Sequence, residues 1–374
     1  MNSIVEPKLN KLTKLSVIFL TKNRYSYLTR NLRLWEKSGA MIYVLDSSDK
    51  SMSCQFVREF PNVVYIHMDA PLEARVFAVQ KLITTTYSML ASDDDIITLS
   101  GAEACIEELD GNPDLVAVSG IPIGFKVNAE KVYYFEVYPT YKRYGSSLNL
   151  NPWIRVFKHF NHYESSSVYG IVRSEAFKKV CRVFNDSPYL PNNLFELIFQ
   201  FSITFLGRVK VIDQLYWLRS QECVSNWTNE VPNAGFSLSI KYPGRAQLLS
   251  NLNDEILSKN LICFSKIRIQ AFLFILTGRE LSNFCNRIKI RTSYRWLFLL
   301  PLILYTNLDP SIKNRLLKLK RRIKIGKLKS EITGLNESCL PHSSFSENVK
   351  QIHNELYKYT ELIESLGSDA NKSI

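Results

Sequence analysis

The first 120 residues alternate between short apolar runs and stretches with helical spacing, and this alternation limits the fold more than any other feature of the sequence. Five runs rich in β-forming residues are predicted as strands, at 15–20, 40–45, 63–66, 96–99 and 115–118. Between them, apolar residues recur at helical spacing over 27–35 and 72–89. Strands that alternate with helices favour an α/β fold with a mostly parallel central sheet, which binds ligands where its strands end.

The alternation ends beyond Trp227, and the segments 236–250, 261–276 and 348–365 have helical patterns. We therefore expect an α/β domain over 1–235 and a mainly α-helical C-terminal region over 236–374. The segment between 120 and 170 is irregular and rich in aromatic residues. Most of these side chains are expected to fill the core, and a few to contact a ligand.

A formal net charge of +12 and a pI near 9.2 favour an anionic partner. Apolar residues at 296–305 are followed by nine basic residues between 313 and 329 with no acidic residue among them. About twenty apolar residues are needed to span a bilayer, so 296–329 is predicted either to lie on an anionic membrane surface or to form a buried helix followed by a solvated basic one. No nucleic-acid-binding motif occurs, and nucleic acid is not expected as a partner.

The redox and targeting signals of the sequence are those of a protein that stays in the cell. The seven cysteines are scattered and odd in number, which argues against a disulfide framework. The first fourteen residues are polar and basic, without the apolar segment of a secretory signal. We expect a cytoplasmic location, with peripheral binding at the inner face of the membrane if 296–329 lies there.

Three adjacent carboxylates at 93–95 stand between apolar residues, with no basic residue from 82 to 125 to compensate them. Adjacent carboxylates in a partly buried site repel one another unless a cation lies among them. Two aspartates with Asp-x-Asp spacing can bind Mn²⁺ or Mg²⁺, which prefer oxygen ligands. Asp93 and Asp95 are the predicted metal ligands, and the spacing leaves Asp94 open as an alternative; many acidic triplets are simply solvated loops or helix N-termini.

Four motifs in the first 100 residues resemble those of nucleotide-sugar-dependent glycosyltransferases of the GT-A fold, in particular the inverting family 2. They are the loop with Thr21, Asn23 and Arg24, the strand end with Asp46, the helix with Arg75, and the acidic triplet. The resemblance implies a Rossmann-like GT-A domain whose donor nucleotide is bound by these residues together with Asp93 and Asp94. It further implies that Asp46 contacts the base of the nucleotide and that Arg75 contacts its diphosphate.

A helical pattern follows Asn192 and runs to Gly207, and 208–213 is predicted as the strand after it. A general base for an inverting transfer is predicted at Glu196, which lies eleven residues before Gly207, the usual gap in that family. A glutamate near a helix start can also simply face solvent. Many members of the family have a histidine metal ligand near the position of Arg219, where this chain has none. Arg219 is therefore predicted to neutralise the leaving diphosphate directly.

Together these residues predict transfer of a sugar, with inversion, from a nucleotide-sugar donor to a glycan or lipid-linked acceptor. UDP is the expected nucleotide, and the resemblance suggests bacterial surface polysaccharides such as capsule or lipopolysaccharide as the product. Sugar-phosphate nucleotidyltransferases are disfavoured because the loop at 21–24 has no glycine with which to wrap a triphosphate. A non-catalytic protein that binds anionic surfaces remains the alternative from another class.

Overall fold

The computed structural model of the chain describes residues 10–128, 131–139, 141–161, 167–185, 192–222, 245–257, 356, 358–360 and 363. The predicted domain boundary at 235, the predicted helix at 261–276 and the predicted membrane-facing segment at 296–329 lie outside these residues. Within them, no helix has the length and apolar character needed to cross a membrane.

The described residues form strands and helices in alternation. The strands are β1 Leu15–Thr21, β2 Met41–Asp46, β3 Val63–His67, β4 Tyr87–Ser92, β5 Ile96–Ile97, β6 Leu115–Asn128, β7 Lys131–Glu136, β8 Ile171–Arg173 and β9 Arg208–Ser220. The helices are α1 Tyr25–Trp35, α2 Cys54–Val57, α3 Leu72–Val79, α4 Leu99–Gly111, α5 Tyr141–Tyr144, α6 Pro152–Asn161, α7 Ser174–Val183, α8 Asn192–Leu206 and α9 Arg245–Leu252. Short 3₁₀ turns at Lys11–Lys14 and Ser167–Tyr169 and a π turn at Asn253–Leu257 complete them.

The nine strands form one sheet in the order β3-β2-β1-β4-β8-β6-β9-β5, with β7 paired to the free part of β6. β1, β2, β3 and β4 are parallel, as are β6 and β9, whereas β8 joins the two groups through antiparallel pairs. The prediction of a mixed α/β fold with a mostly parallel central sheet is confirmed. Because β1, β2 and β4 end side by side, their last residues meet at one edge, where Thr21 pairs with Asp46.

Both faces of the sheet are covered, which explains why the central strands are apolar throughout. Alternate residues of β1 point to opposite sides: Val17 and Phe19 pack in a cluster with α1 and α4, and Ile18 packs in a cluster with α3, α7 and α8. The helices on each side are those whose apolar stripes face the strands. This is a three-layer arrangement with the sheet in the middle.

The sequence prediction was wrong for the second half of the helix expected over 72–89. The helix α3 ends at Val79, and Tyr87–Ser92 is strand β4, in the centre of the sheet beside β1. The three β-branched residues at 84–86 oppose helix continuation, and a run that is buried on both faces has no period by which to tell strand from helix. The predicted strand at 96–99 is shorter than expected, because Thr98 caps the helix α4.

Described residues on both sides of position 235 pack against the same sheet. Leu248 and Leu252 of α9 join the cluster under α7 and α8. At the other end, three residues near the C-terminus pack on β5, β6 and β9; they are Leu356, Tyr359 and Ile363. The hydroxyl of Tyr359 accepts a hydrogen bond of 2.9 Å from the backbone N–H of Leu99, the first residue of α4.

The helix α8, which carries Glu196, ends at Leu206, directly before Gly207, as the helical pattern of the sequence predicts. A Cβ added to Gly207 would lie 2.6 Å from the Cβ of Val116 on β6, which is closer than side-chain carbons approach. Only a glycine therefore allows the chain to leave α8 and enter β9 this close to β6.

Candidate active site

The acidic triplet follows β4 directly, and its backbone is held by two adjacent residues of α1. The Nδ2 of Asn31 donates to the carbonyl oxygens of both Asp93 and Asp95, each at 2.8 Å. The Nη2 of Arg30 donates to the carbonyl oxygen of Asp94 at 2.6 Å. All three carbonyls of the triplet therefore bond to α1, and this fixes the directions in which the three carboxylates leave the chain.

Two of the three carboxylates point toward the loop between β1 and α1. Asp93 accepts hydrogen bonds from the Thr21 hydroxyl at 2.7 Å and from Nη1 of Arg24 at 3.2 Å. The same Nη1 lies 2.9 Å from Oδ2 of Asp94. The counter-charge that is missing from the neighbouring sequence is therefore present in the fold, where Arg24 supplies it.

The third carboxylate points the other way, toward the end of β9. Asp95 accepts hydrogen bonds of 2.8 Å from the indole Nε1 of Trp217 and of 2.8 Å from the backbone N–H of Ser220. Arg219 lies beside it, with its guanidinium over the rings of Tyr138, at 5.1 Å, and Trp217, at 5.9 Å. Arg219 also donates a hydrogen bond to the Tyr138 hydroxyl. The triplet thus joins the ends of two strands that lie far apart in the sheet.

Both buried carboxylates of the triplet bind protons more tightly than an ordinary aspartate. Burial raises the pKa of Asp93 to about 6 and the charge of Asp94 adds to this, while Arg24 acts in the opposite direction. Burial raises the pKa of Asp95 to about 7, again with a contribution from Asp94. The ionised forms are therefore incompletely compensated, so an additional cation close to them would be stabilised.

The donor set of the triplet fits a hard divalent ion in its chemistry. Asp93 and Asp95 offer carboxylate oxygens, each of which accepts one hydrogen bond from the protein and keeps a second lone pair. Over the described part of the chain, no group of three or more His, Cys, Asp and Glu side chains is placed to hold a metal ion. Such an ion would therefore take the rest of its shell from water or from a bound phosphate.

Asp46, at the end of β2, is fully buried and stabilises the edge of the sheet through its hydrogen bonds. Its carboxylate accepts hydrogen bonds from the hydroxyls of Tyr65, at 2.5 Å, and Tyr25, at 2.9 Å, and from the backbone N–H of Ser48, at 2.7 Å. Although burial acts to raise its pKa, these hydrogen bonds outweigh burial and lower it. Asp46 is thus ionised, and in this conformation it presents no surface to a ligand.

Asn23 joins the two loops that follow β1 and β2. Its backbone N–H donates to the Ser48 hydroxyl at 2.6 Å, and its amide exchanges two hydrogen bonds of 3.0 Å with Asp49. Its φ of +56° lies in the left-handed region, which asparagine tolerates better than most residues. This conformation turns the chain so that the next residue, Arg24, reaches the triplet.

Arg75 lies beneath the same edge, buried between the ends of β1 and β2. Its Nη1 donates to the carbonyl oxygens of Leu45 at 2.7 Å and Thr21 at 3.1 Å, and its Nε has no partner among the described residues. Burial lowers the pKa of its guanidinium, while the charges of Asp46 and Asp93 act to raise it. The side chain places a positive charge behind the site, and contact with a diphosphate stays a prediction.

Glu196 lies in the second turn of α8 and is partly exposed. Tyr169, in the turn before β8, links it to the triplet: burial raises the pKa of the Tyr169 phenol well above its usual value, and the charges of Asp95 and Glu196 raise it further. The ring of Tyr169 lies 5.0 Å from that of Trp217, the residue that bonds Asp95. The phenol is therefore within electrostatic reach of both carboxylates.

Several residues that build this site are not among those predicted from the sequence. Asn31 and Arg30 hold the triplet, and Tyr138, Tyr169 and Trp217 line its far side. The two tyrosines belong to the aromatic segment from which only a few ligand contacts were expected. The sequence offers one usable signal for Trp217, which lies four residues after the strand predicted at 208–213, and ligands bind where the strands of such a sheet end.

Comparison with known proteins gives remote structural likenesses. No protein-family model and no curated protein sequence matches the chain. A crystal structure of residues 1–349 of TarS from S. aureus is 16% identical over 75% of this chain and 77% of that one, with a TM-score of 0.46. The same protein in complex with UDP-GlcNAc is 15% identical over 75% and 78%, with a TM-score of 0.49, and in complex with UDP it is 16% identical over 75% and 76%, with a TM-score of 0.45. At this level the likeness by itself assigns neither a fold family nor a substrate.

Proposed function

We propose that this protein is an inverting glycosyltransferase of the GT-A type that uses a nucleotide sugar, with UDP as the nucleotide, and transfers the sugar to a hydroxyl of a glycan or lipid-linked acceptor. The observation that carries the proposal is the convergence of the acidic triplet with Arg24 and Arg219 at the edge where β1, β4 and β9 end. Paired carboxylates and guanidinium groups at such an edge suit a diphosphate and its cation.

In the proposed reaction, Glu196 accepts the proton of the acceptor hydroxyl while that oxygen forms a bond to the anomeric carbon of the donor. The bond between the anomeric carbon and the diphosphate oxygen breaks, and the diphosphate leaves with the electron pair. Arg219, beside Trp217, and Arg24, paired with Asp94, would stabilise the charge that develops on it. Attack opposite the leaving group inverts the anomeric centre.

A divalent ion, Mn²⁺ or Mg²⁺, would be held by Asp93 and Asp95, with Asp94 as the alternative ligand. When bound, such an ion supplies further positive charge next to the diphosphate. A cytoplasmic protein that approaches the membrane through 296–329 would have access to lipid-linked acceptors.

The donor part of the proposal is tested with purified full-length protein and a panel of nucleotides. Unfolding temperatures are measured with UDP, GDP, CMP and a panel of UDP-sugars, each with and without Mn²⁺. We expect UDP and one or more UDP-sugars to stabilise the protein in a Mn²⁺-dependent way. Absence of stabilisation across the panel contradicts the proposal.

The role of Glu196 is tested by release of UDP from the stabilising UDP-sugar, with water as the acceptor. Glu196→Gln removes the base and is expected to slow release on the order of 10²-fold or more without loss of UDP binding. Glu175→Gln, on the exposed side of α7, makes the same chemical change outside the site and serves as the control.

A further inference from the structure

A line of hydrogen bonds runs from Glu196 into the packed interface between α8 and α6. Nε2 of Gln200, one helical turn further along α8, lies 3.1 Å from Oε1 of Glu196. On its other side, Oε1 of Gln200 lies 2.9 Å from Nε2 of His159 on α6. Gln200 is 1% exposed and His159 is 3% exposed, so the line begins at a partly exposed carboxylate and ends in the core.

With Glu196 ionised, as the proposed reaction requires, the chemistry of the three groups allows one arrangement of protons along this line. An ionised carboxylate only accepts hydrogen bonds, so the amide group of Gln200 turns its NH₂ toward Glu196. Its carbonyl oxygen then faces His159 and also only accepts, so Nε2 of His159 must carry a proton. Burial lowers the pKa of His159 to about 4, although its bond to Gln200 acts to raise it. His159 is therefore neutral near pH 7, and its single proton is on Nε2.

The surroundings make this arrangement costly to disturb. Phe195 and Phe199 of α8 and Phe160 of α6 belong to the apolar cluster that covers this face of the sheet. In such an apolar setting, a polar group that loses its partner is strongly destabilised, and the amide of Gln200 has little freedom to turn over.

We propose that Gln200 is the positioning residue for Glu196 and that His159, through its Nε2 proton, fixes the orientation of Gln200. This proposal rests on the proposed function, because it concerns the base of that reaction. The amide donor stabilises the ionised carboxylate, which is the form that accepts a proton, and holds it in one rotamer. Neither Gln200 nor His159 is expected to touch the substrate.

The kinetic test uses UDP release from a UDP-sugar and four variants of the full-length protein. Gln200→Leu removes the donor to Glu196 and is expected to lower kcat on the order of 10-fold to 100-fold with KM for the UDP-sugar unchanged. His159→Leu leaves the amide unfixed and is expected to lower kcat by a smaller factor. His159→Gln places an amide N–H near the position of Nε2 and is expected to restore most of kcat.

Ser202→Ala is the matched control for disturbance of α8. Ser202 is fully buried on the same helix and donates to the carbonyl oxygen of Ile198 at 2.8 Å. It is expected to lower stability and leave kcat close to that of the unchanged protein. If Ser202→Ala and Gln200→Leu lower kcat equally, the effect is structural and the proposal is wrong.

The outcomes separate this proposal from the function on which it rests. If Glu196→Gln abolishes UDP release but Gln200→Leu and His159→Leu do not change kcat, the positioning proposal fails and the function stands. If Glu196→Gln has no effect, the assignment of the base fails and the positioning proposal fails with it.

A spectroscopic test needs no substrate. In protein labelled with ¹⁵N-histidine, the signals of His159 are assigned by their loss in His159→Gln, and they report which ring nitrogen carries the proton. We expect the neutral Nε2–H tautomer at neutral pH, and a shift of that signal in Gln200→Leu. A neutral His159 with its proton on Nδ1 would overturn the proposal.

Discussion

Arg24 and Asp93 form an ion pair, with 3.2 Å between Nη1 and Oδ1, although they are 69 positions apart in the sequence. The pair is mostly shielded from water, since the Asp93 side chain is 4% exposed and that of Arg24 is 21% exposed. A guanidinium in this position compensates the triplet as long as no other cation is bound. It must therefore compete with any metal ion for the same carboxylates.

The first prediction concerns this competition. Arg24→Gln removes the internal cation, so Mn²⁺ alone should raise the unfolding temperature of the variant more than that of the unchanged protein, by about 2–4 °C. The control is Arg33→Gln on α1, which loses a surface ion pair with Glu59 instead. Equal responses to Mn²⁺ in both variants would show that Arg24 does not compete with the ion.

The second prediction concerns pH. Because the pKa of Asp93 is raised to about 6 in the folded state, the folded protein binds the proton more tightly than the unfolded chain. The contribution of Asp93 to stability is therefore present below about pH 4 and is lost as pH rises to about 6. Asp93→Asn removes this loss. Between pH 4 and pH 8, the free energy of unfolding of Asp93→Asn should therefore rise relative to that of the unchanged protein by on the order of 2 kcal/mol.

Asp110 provides a control with the opposite sign. Burial acts to raise its pKa, but hydrogen bonds from Lys14 and Tyr87 outweigh burial and lower it. Its stabilising effect is present at neutral pH and disappears on acidification, so Asp110→Asn should lose stability at pH 8 and not near pH 3. Urea unfolding of both variants and of the unchanged protein at several pH values measures these differences. If the stability difference from the unchanged protein changed with pH in the same direction for both variants, the predictions would be wrong.

The third prediction compares two asparagines with the same bonding at opposite ends of the sheet. Asn31 bridges the carbonyls of Asp93 and Asp95, and Asn62 bridges those of Trp35 and Ala40 at 3.1 and 3.0 Å. Replacing either by leucine leaves two carbonyls without these bonds and should lower the free energy of unfolding by about 1–3 kcal/mol.

Only the change at Asn31 should also weaken binding at the site, because Asn31 holds the triplet and Asn62 does not. Titration with UDP and Mn²⁺, followed by calorimetry, should give weaker binding for Asn31→Leu and unchanged binding for Asn62→Leu. Equal affinities in the two variants would mean that the triplet keeps its geometry without the bonds from Asn31.

The fourth prediction concerns the C-terminal segment. Tyr359→Phe removes the acceptor of the backbone N–H of Leu99 at the start of α4 and should cost about 1 kcal/mol of stability. Tyr133→Phe, on an exposed face of β7, is the control and should change stability by less than about 0.5 kcal/mol. Chemical unfolding distinguishes the two, and equal effects would show that the bond to α4 contributes nothing.

Much of the fold follows from local pattern, and the exceptions have a common cause. Apolar runs and helical spacing in the sequence predicted the strands β1, β2 and β3 and the helix α8, because each of these segments is bounded by polar residues. The strand β4 was not predicted, because an apolar run that is buried on both faces of a sheet has the same sequence pattern as a buried helix. The strand β7 and the helices α5 and α6 were hidden in the aromatic segment, where apolar residues show no single period.

Several residues of the candidate site could be predicted from the sequence, but the contacts between them could not. The triplet, Arg24 and Arg219 could be named from the sequence, but the partnership of Arg24 with Asp93 depends on how β1 and β4 lie side by side. The hydrogen bond from Trp217 to Asp95 depends in the same way on where β9 ends. Such contacts follow from topology, which no local pattern contains.

The packing of Leu356, Tyr359 and Ile363 on β5, β6 and β9 also bears on the order of events during synthesis. The apolar face formed by residues such as Phe125 and Leu218 is complete once β9 has been made, yet the residues that cover it emerge more than 130 positions later. Until then a nascent chain lacks these three side chains on that surface, and exposed apolar surface on a nascent chain is what chaperones bind and what leads to aggregation. A chain that ends before residue 356 would lack them permanently.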